Sequence, residues 1–295
     1  MTKNIFICFN YVMRITLLNS INSIFSPLNS RINSKSRNLK FKQEDFYVRI
    51  KGYGYNSNWA KKVIETADNV VKFIRQKCDF ENTLKKISKG VTEANKLLPD
   101  TEKCLHTGVL RATRNGWKHT DLANDGSYFI TTYGTNKDNK YKIYADRFEY
   151  TIKHPLKNPY KDIMLTCPMH ECFCGKILLH PDGKYIDNSF NHVKSIYDDL
   201  YGKYISSGSV RKQNLQEINS SIAEIRWILA HTTPWERGSD AISNVFIRTI
   251  YKAMGIKSYP LKKNISLDLQ AYCTNLGDYK NNFADYFIKK PKVIE

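Results

Sequence analysis

The sequence predicts an α+β protein that is mainly helical, with amphipathic helices toward both ends and a β-containing middle. Three observations carry this. Apolar residues recur at helical spacing over 56–104 and again from 188 onward. Between them, "GSYFITTYG" and "KYKIYADRFEYTI" are rich in Tyr, Ile and Thr and are separated by the turn signal "TNKDN", which reads as a hairpin. A hydrophobic content of 41% and an aromatic content of 13% over 295 residues provide for one good core and are not the composition of a disordered chain.

The elements follow in order. Residues 4–17, "NIFICFNYVMRITL", are apolar but interrupted by Asn10 and Arg14, too short and too broken to span a membrane, and no small-x-small cleavage site follows cleanly. Residues 19–38 are rich in Ser and Asn with several basic residues. Such a tract buries too little apolar surface to offset its ordering entropy, so 1–50 is expected to be a flexible leader. Position 2 is not Gly, which excludes N-myristoylation on this sequence. "NSNWAKKVIETADNVVKFIRQK" places Trp59, Val63, Ala67, Val70 and Phe73 on one face with Asn58 as the cap, and "DFENTLKKISKGVTEANKLL" continues as a shorter amphipathic helix.

After the hairpin, two prolines four apart make "HPLKNPYKDIMLTCP" an ordered loop leading into a strand, and "HPDGKYIDN" is a turn. Helix resumes in "NHVKSIYDDLYGKYI" and in "NLQEINSSIAEIRWILAH", whose stripe is Leu215, Ile218, Ile222, Ile225 and Leu229. A last stripe runs Ile242, Phe246, Ile250 and Met254, with Gly255 suited to end the helix. These stripes are core faces; none reads as a cofactor box.

A net charge of +18 and a pI near 9.5 fit an anionic partner (nucleic acid, a membrane surface or a phosphorylated ligand), although a Lys-rich proteome gives the same balance. No RNP motif, paired-cysteine finger or long basic helix is present, so no nucleic acid is expected. Seven cysteines, an odd number without a scaffold rhythm, imply reduced thiols. "CPMHECFC" brings Cys167, His170, Cys172 and Cys174 into eight residues, a crowding that fits small buried thiols better than two spaced zinc-binding pairs; no metal is expected.

The chemistry concentrates in "ILAHTTPWERGSDAISNVF", residues 228–246, two helices joined by a tight turn. With Ser239 as N-cap, the free N–H groups of the second helix and its dipole present positive potential. Gly238 lets a ligand approach the backbone, and Arg237 adds a guanidinium; the combination suits a diphosphate. A capped hairpin with a surface arginine accounts for the same letters.

The segment "SIAEIRWILAHTTPWERGSDAI" resembles the Arg-Gly-Ser-Ala turn of the AvrB/AvrC avirulence family, type III effectors of plant-associated bacteria. "HPLKNPYKDIM", "IDNSFNHVKSIYDDLYGKYISS" and "AMGIKSYPLKKNISLDLQAY" are similar to further segments of that family, in the same order from about residue 56 to 275. The resemblance implies a bilobal AvrB-like fold in residues 51–290: a Fido/Fic-like helical core over 56–104 and 188–288 and an inserted β-containing lobe near 105–187. It implies a nucleotide or nucleotide-sugar, such as dTDP- or UDP-rhamnose or a nucleoside diphosphate, in the cleft between the lobes. The activity implied is transfer of a deoxysugar to a host immune-signalling protein by a secreted, monomeric effector in the host cytoplasm or at the inner face of a host membrane. The leader over 1–50 would serve as its secretion signal.

Carried over by position, Arg237, Gly238 and Ser239 are ligand-binding, joined by His154, where the family has Thr. Asp268 stands at the family's closing aspartate as acid/base or sugar-orienting group, with a helix cap as its competing reading. Asn188 stands at the family's catalytic-position histidine, where an amide cannot act as a base. Asp240 replaces Ala and places a negative charge near the phosphate. Fic enzymes use a His directly before Pro-Phe. Here Thr233 precedes Pro234 and His231 is two residues early, which counts against the alternative of AMP transfer; a non-catalytic adaptor is the third reading.

Overall fold

A computed structural model describes residues 41–46, 56–77, 79–98, 106–111, 118–121, 130–133, 140–145, 148–153, 155–171, 175–263 and 265–294. The chain divides into a unit Met1–Leu39, outside the described residues, and a unit Lys40–Glu295, which concerns everything below. Most of the expected leader therefore lies outside the described residues, the apolar stretch 4–17 included. Within its span, however, Gln43–Phe46 form a 3-10 helix, and Phe41 and Phe46 are partly buried against the core. Phe41 meets Tyr259 edge-on at 6.2 Å. Two aromatic anchors hold this short piece although its neighbours are polar.

Among the described residues the protein is mainly helical, with seven α-helices: α1 (Ser57–Gln76), α2 (Phe80–Asn95), α3 (Ile186–Leu200), α4 (Leu215–Thr232), α5 (Ser239–Ala253), α6 (Leu267–Cys273) and α7 (Leu276–Asn282). Asn56 caps α1, accepting the Trp59 N–H at 3.0 Å, two residues ahead of the expected Asn58; Asp79 caps α2 in the same way. Trp59, Val63, Ala67 and Val70 are buried as expected, but Phe73 is half-buried and Ile74 takes the next core place. Four turns of 3.6 residues from Trp59 fall between positions 73 and 74, and Ile74 is the one turned inward. Fully buried aliphatics such as Ile74 and Ile87 contribute about 1.5–3 kcal/mol each.

α4 is the centre of the molecule, with α3, α5, α6 and α7 packed around it. Its expected stripe is buried from Ile218 onward, with Leu215 half-buried at the start. From Ile225 to Trp235 every residue is buried, so the helix has no solvent face there. That enclosure brings Arg226 and His231 inside. α5 buries Ile242, Phe246 and Ile250 and ends at Met254 and Gly255, whose φ is 71°. Its last carbonyls are taken by Arg75 of α1, which donates to Ala253 O at 3.2 Å and Lys252 O at 3.1 Å.

Among the described residues six strands fall between α2 and α3: β1 (Lys118–Asp121), β2 (Ile130–Tyr133), β3 (Lys140–Ala145), β4 (Phe148–Lys153), β5 (Cys167–Glu171) and β6 (Gly175–His180). β2 and β3 are the expected hairpin, with Ile130 opposite Tyr144. The stretch read as its second strand divides into β3 and β4, giving an antiparallel sheet in the order β2-β3-β4. A second sheet has the order β1-β6-β5. Near the C-terminus, β7 (Ile256–Lys257) pairs with β8 (Lys292–Val293).

Candidate functional site

The turn between α4 and α5 has a cause at each residue. Pro234 lacks an N–H and cannot continue α4, and Thr233 closes it in the left-handed region at φ 45°. A non-glycine residue there needs holding. The Thr233 hydroxyl donates to Ala230 O at 3.0 Å and lies 2.9 Å from His180 Nδ1. Arg111, 6% exposed, closes the helix end: Nη2 donates to Thr232 O at 2.6 Å, Nε to Thr233 O at 2.8 Å and Nη1 to Pro181 O at 2.8 Å. Residues 107–111 then run alongside the turn. Arg111 N donates to Pro234 O, Glu236 N to Val109 O and Gly108 N to Arg237 O at 2.8–3.1 Å. His106 and Glu236 pair at 2.9 Å.

Gly238, at φ 83°, is the N-cap of α5, and a Cβ there would lie 3.0 Å from Thr107 Cγ2. Ser239 is the first helical residue and not the expected cap; its hydroxyl faces back, accepting from Trp235 N at 3.1 Å and donating to Trp235 O at 3.0 Å. The serine therefore locks the turn, and a glycine cap offers no side-chain acceptor to the first N–H groups of α5. As at any helix start these have no partner within the helix. Arg237 is exposed beside them, and its side chain has no partner among the described residues. A rigid turn thus presents a free guanidinium and helix-start N–H groups together.

Behind this lies a charged cluster. Arg226, with no exposure, donates through Nη2 to Asp240 Oδ1 and through Nε to Asn244 Oδ1 at 3.3 Å, while Asn244 also donates to Asp240 Oδ2 at 2.9 Å. Among the described residues, buried Arg226 Nη1 has no partner, nor has the Ser243 hydroxyl. Burial opposes the Arg226 charge, but Asp240, with Tyr279 and Asp268 behind it, more than offsets this and keeps the group cationic. Desolvation and the charge of Asp268 push the Asp240 carboxyl pKa up, and Arg226 and Asn244 pull it back. The net effect raises the Asp240 pKa to about 7, so the buried cation only partly holds the negative charge expected beside the anion site.

Asp268 lies in the first turn of α6, after Ser266. Ser266, not Asp268, is the N-cap of α6; Asp268 Oδ1 accepts from the Ser266 hydroxyl and from Leu269 N at 2.8 Å, which engages one oxygen. Oδ2 has no partner among the described residues. Asp268 is half-buried and shares the field of Arg226 and Asp240, so the structure brings it to the same cluster. β4 lies against α6. His154, the residue after β4, is outside the described residues. Asn188 is elsewhere: in the first turn of α3 it donates to Asp162 O at 2.8 Å, one helical turn from His192, which bonds the Asp162 carboxylate at 2.9 Å.

His231 is buried and committed on both nitrogens. Nδ1 accepts from Thr166 N at 3.2 Å, so Nε2 carries the proton to Ala271 O at 3.1 Å. Burial drops its pKa to about 3, against the carbonyl contact that favours charge. Cys167 is half-buried with its thiol pKa raised by burial, Cys172 and Cys174 lie outside the described residues, and no metal-ligating group of three side chains occurs among the described residues. A cavity of about 170 Å³ lies by Leu156, Met164, Leu165 and Cys167; it has no charged lining and none of the turn residues borders it. Sequence reasoning passed over Arg226 and Arg111. "EIRWIL", an arginine inside an apolar run, was the available signal for the first.

Among known protein families, AvrB_AvrC, avirulence protein, matches residues 111–290, from Arg111 through α7. No curated protein matches the chain. No helix of the described residues is long and apolar enough to cross a membrane.

Proposed function

Because the chain belongs to the AvrB/AvrC family of bacterial avirulence effectors, we propose that it is a secreted effector that binds a nucleotide-sugar and glycosylates a host immune-signalling protein. In this reading residues 51–290 are the effector domain, with a Fido/Fic-like helical core around α4 and α5 and a β-containing lobe near 105–187. The nucleotide-sugar, dTDP- or UDP-rhamnose, occupies the cleft between them, and the segment over 1–50 carries the secretion signal. The observation that carries the reading is Arg237, exposed and unpaired beside the uncapped start of α5 on a turn fixed by Arg111 and Ser239.

The division of labour follows from the chemistry. The donor diphosphate lies on Arg237 and the N–H groups after Gly238, with His154 as a further contact. As the bond between sugar C1 and phosphate oxygen breaks, negative charge grows on the diphosphate, where these donors are already aimed. The acceptor hydroxyl of the host protein forms the new bond to C1 and gives its proton to Asp268 Oδ2, the open carboxylate oxygen. Asn188 contributes an amide that orients the loop at Asp162 and handles no proton.

A Fic-like route to AMP transfer needs a histidine directly before the proline of the turn, and Thr233 stands there. His231, the nearest histidine to the turn in the sequence, is neutral with both ring nitrogens engaged. Intact-mass spectrometry of host-extract proteins incubated with dTDP- or UDP-rhamnose, and separately with ATP, tests the proposal. A deoxyhexose increment that disappears with Asp268→Ala supports it. An AMP increment overturns it for nucleotidyl transfer. No increment from either donor, while a host protein is still captured, overturns it for a non-catalytic adaptor.

A further inference from the structure

From the cluster of Arg226, Asp240 and Asp268 we infer that Asp240 forms a subsite that accepts hydroxyl donors of a sugar, and so selects the sugar-bearing nucleotide over the bare diphosphate. This rests on the reading of the turn as a diphosphate site. Asp240 is the second residue of α5, three after Arg237, so whatever is attached to an anion held by the first N–H groups of the helix passes beside its carboxylate.

The carboxylate has capacity to spare. Oδ1 takes Arg226 Nη2 and Oδ2 takes Asn244 Nδ2, one bond each, whereas a carboxylate offers about four acceptor positions. Its side chain is 28% exposed while that of Arg226 is 0%, so the guanidinium lies beneath a carboxylate that solvent still reaches in part. Asp268, in the first turn of α6, adds an Oδ2 with no partner among the described residues. Two carboxyl groups stand beside one guanidinium, so the cluster offers acceptors to neutral O–H donors and, with both carboxyls ionised, repels a second phosphate.

Arg226 has a specific part in this. Desolvation and the charge of Asp268 raise the Asp240 pKa to about 7 and the guanidinium opposes that rise, so its removal would leave the carboxyl more protonated and turn an acceptor into a donor. Its buried Nη1, without a partner among the described residues, marks a cation placed for the cluster's charge and not for a complete set of hydrogen bonds. The groups that bear on Asp240 are Arg226 from α4, Asn244 from its own helix and Asp268 from α6. A cation is the other ligand a negative pair attracts, but Arg226 already occupies the side where its charge would be most useful.

Calorimetric titration of dTDP and of dTDP-rhamnose into the wild type, Asp240→Asn, Asp240→Ala and Arg226→Met/Asp240→Ala tests this, with EDTA and with magnesium, thermal midpoints being recorded for each. The double variant removes both charges, so no buried guanidinium is left unpaired if Asp240→Ala folds poorly. The expected result is that the wild type prefers the sugar nucleotide by about tenfold or more, from a charge-assisted bond. Every folded variant should lose that preference and keep or gain affinity for dTDP. An unchanged preference in the folded variants overturns the subsite while leaving the diphosphate site standing, as does a preference that depends wholly on magnesium. A wild type that binds neither ligand overturns the diphosphate reading and this inference with it.

Discussion

Arg111 Nη2 donates to the Thr232 carbonyl at 2.6 Å, closing α4 with a side chain 121 residues upstream. Two more carbonyls, Thr233 and Pro181, complete the fork. Arg111→Met should leave three buried acceptors unsatisfied and cost on the order of 3 kcal/mol or more in urea unfolding. Arg111→Lys should recover little, because a single ammonium cannot reproduce the planar fork. A loss under about 1 kcal/mol for either variant would mean that the turn stands without this clamp.

Much of the framework was legible because periodicity is local. The stripes of α1, α4 and α5 and the β2–β3 hairpin follow from residues a few positions apart. The departures share one cause, contact with distant chain. Phe41 and Phe46 fold against Tyr259 and the core although their surroundings read as leader. Ser239, a good cap by identity, is drawn back to Trp235, and Gly238 takes the cap position because residues 107–111 fix the turn. Arg237 was legible as an exposed arginine by a helix start. Arg226 was not, since whether an arginine on an apolar helix is surface or centre depends on how many helices surround it.

Gly238→Ala is the next test of that turn. The left-handed φ costs an L residue about 1–2 kcal/mol, and the new Cβ would press on Thr107 Cγ2 at 3.0 Å. Stability should fall by about that amount, and nucleotide affinity by more than stability alone accounts for, since Arg237 and the first N–H groups pivot on this residue. Equal stability with unchanged affinity would show that the turn tolerates a side chain.

His231 supplies a pH dependence with a definite sign. Its folded pKa is depressed to about 3 by burial, so between about 6.5 and about 3 the unfolded chain binds a proton that the folded chain refuses. The stabilisation is fully present above about pH 6.5 and is lost as pH falls through this window, at up to about 1.4 kcal/mol per pH unit from this group. Urea unfolding between pH 4.5 and 7 should show the wild type weakening faster with acid than His231→Gln. Identical slopes would contradict the buried neutral imidazole.

The measurement closest to the central claim is a calorimetric titration of dTDP and UDP into the wild type and Arg237→Ala, with thermal midpoints recorded for both. The side chain is exposed and unpaired, so its removal should leave the midpoint nearly unchanged. Losing a charge-assisted bond of about 1.5–3 kcal/mol should weaken nucleotide binding by about tenfold to more than a hundredfold. Equal affinity in the two proteins would mean that the α4–α5 turn is a structural hairpin and that the diphosphate site lies elsewhere.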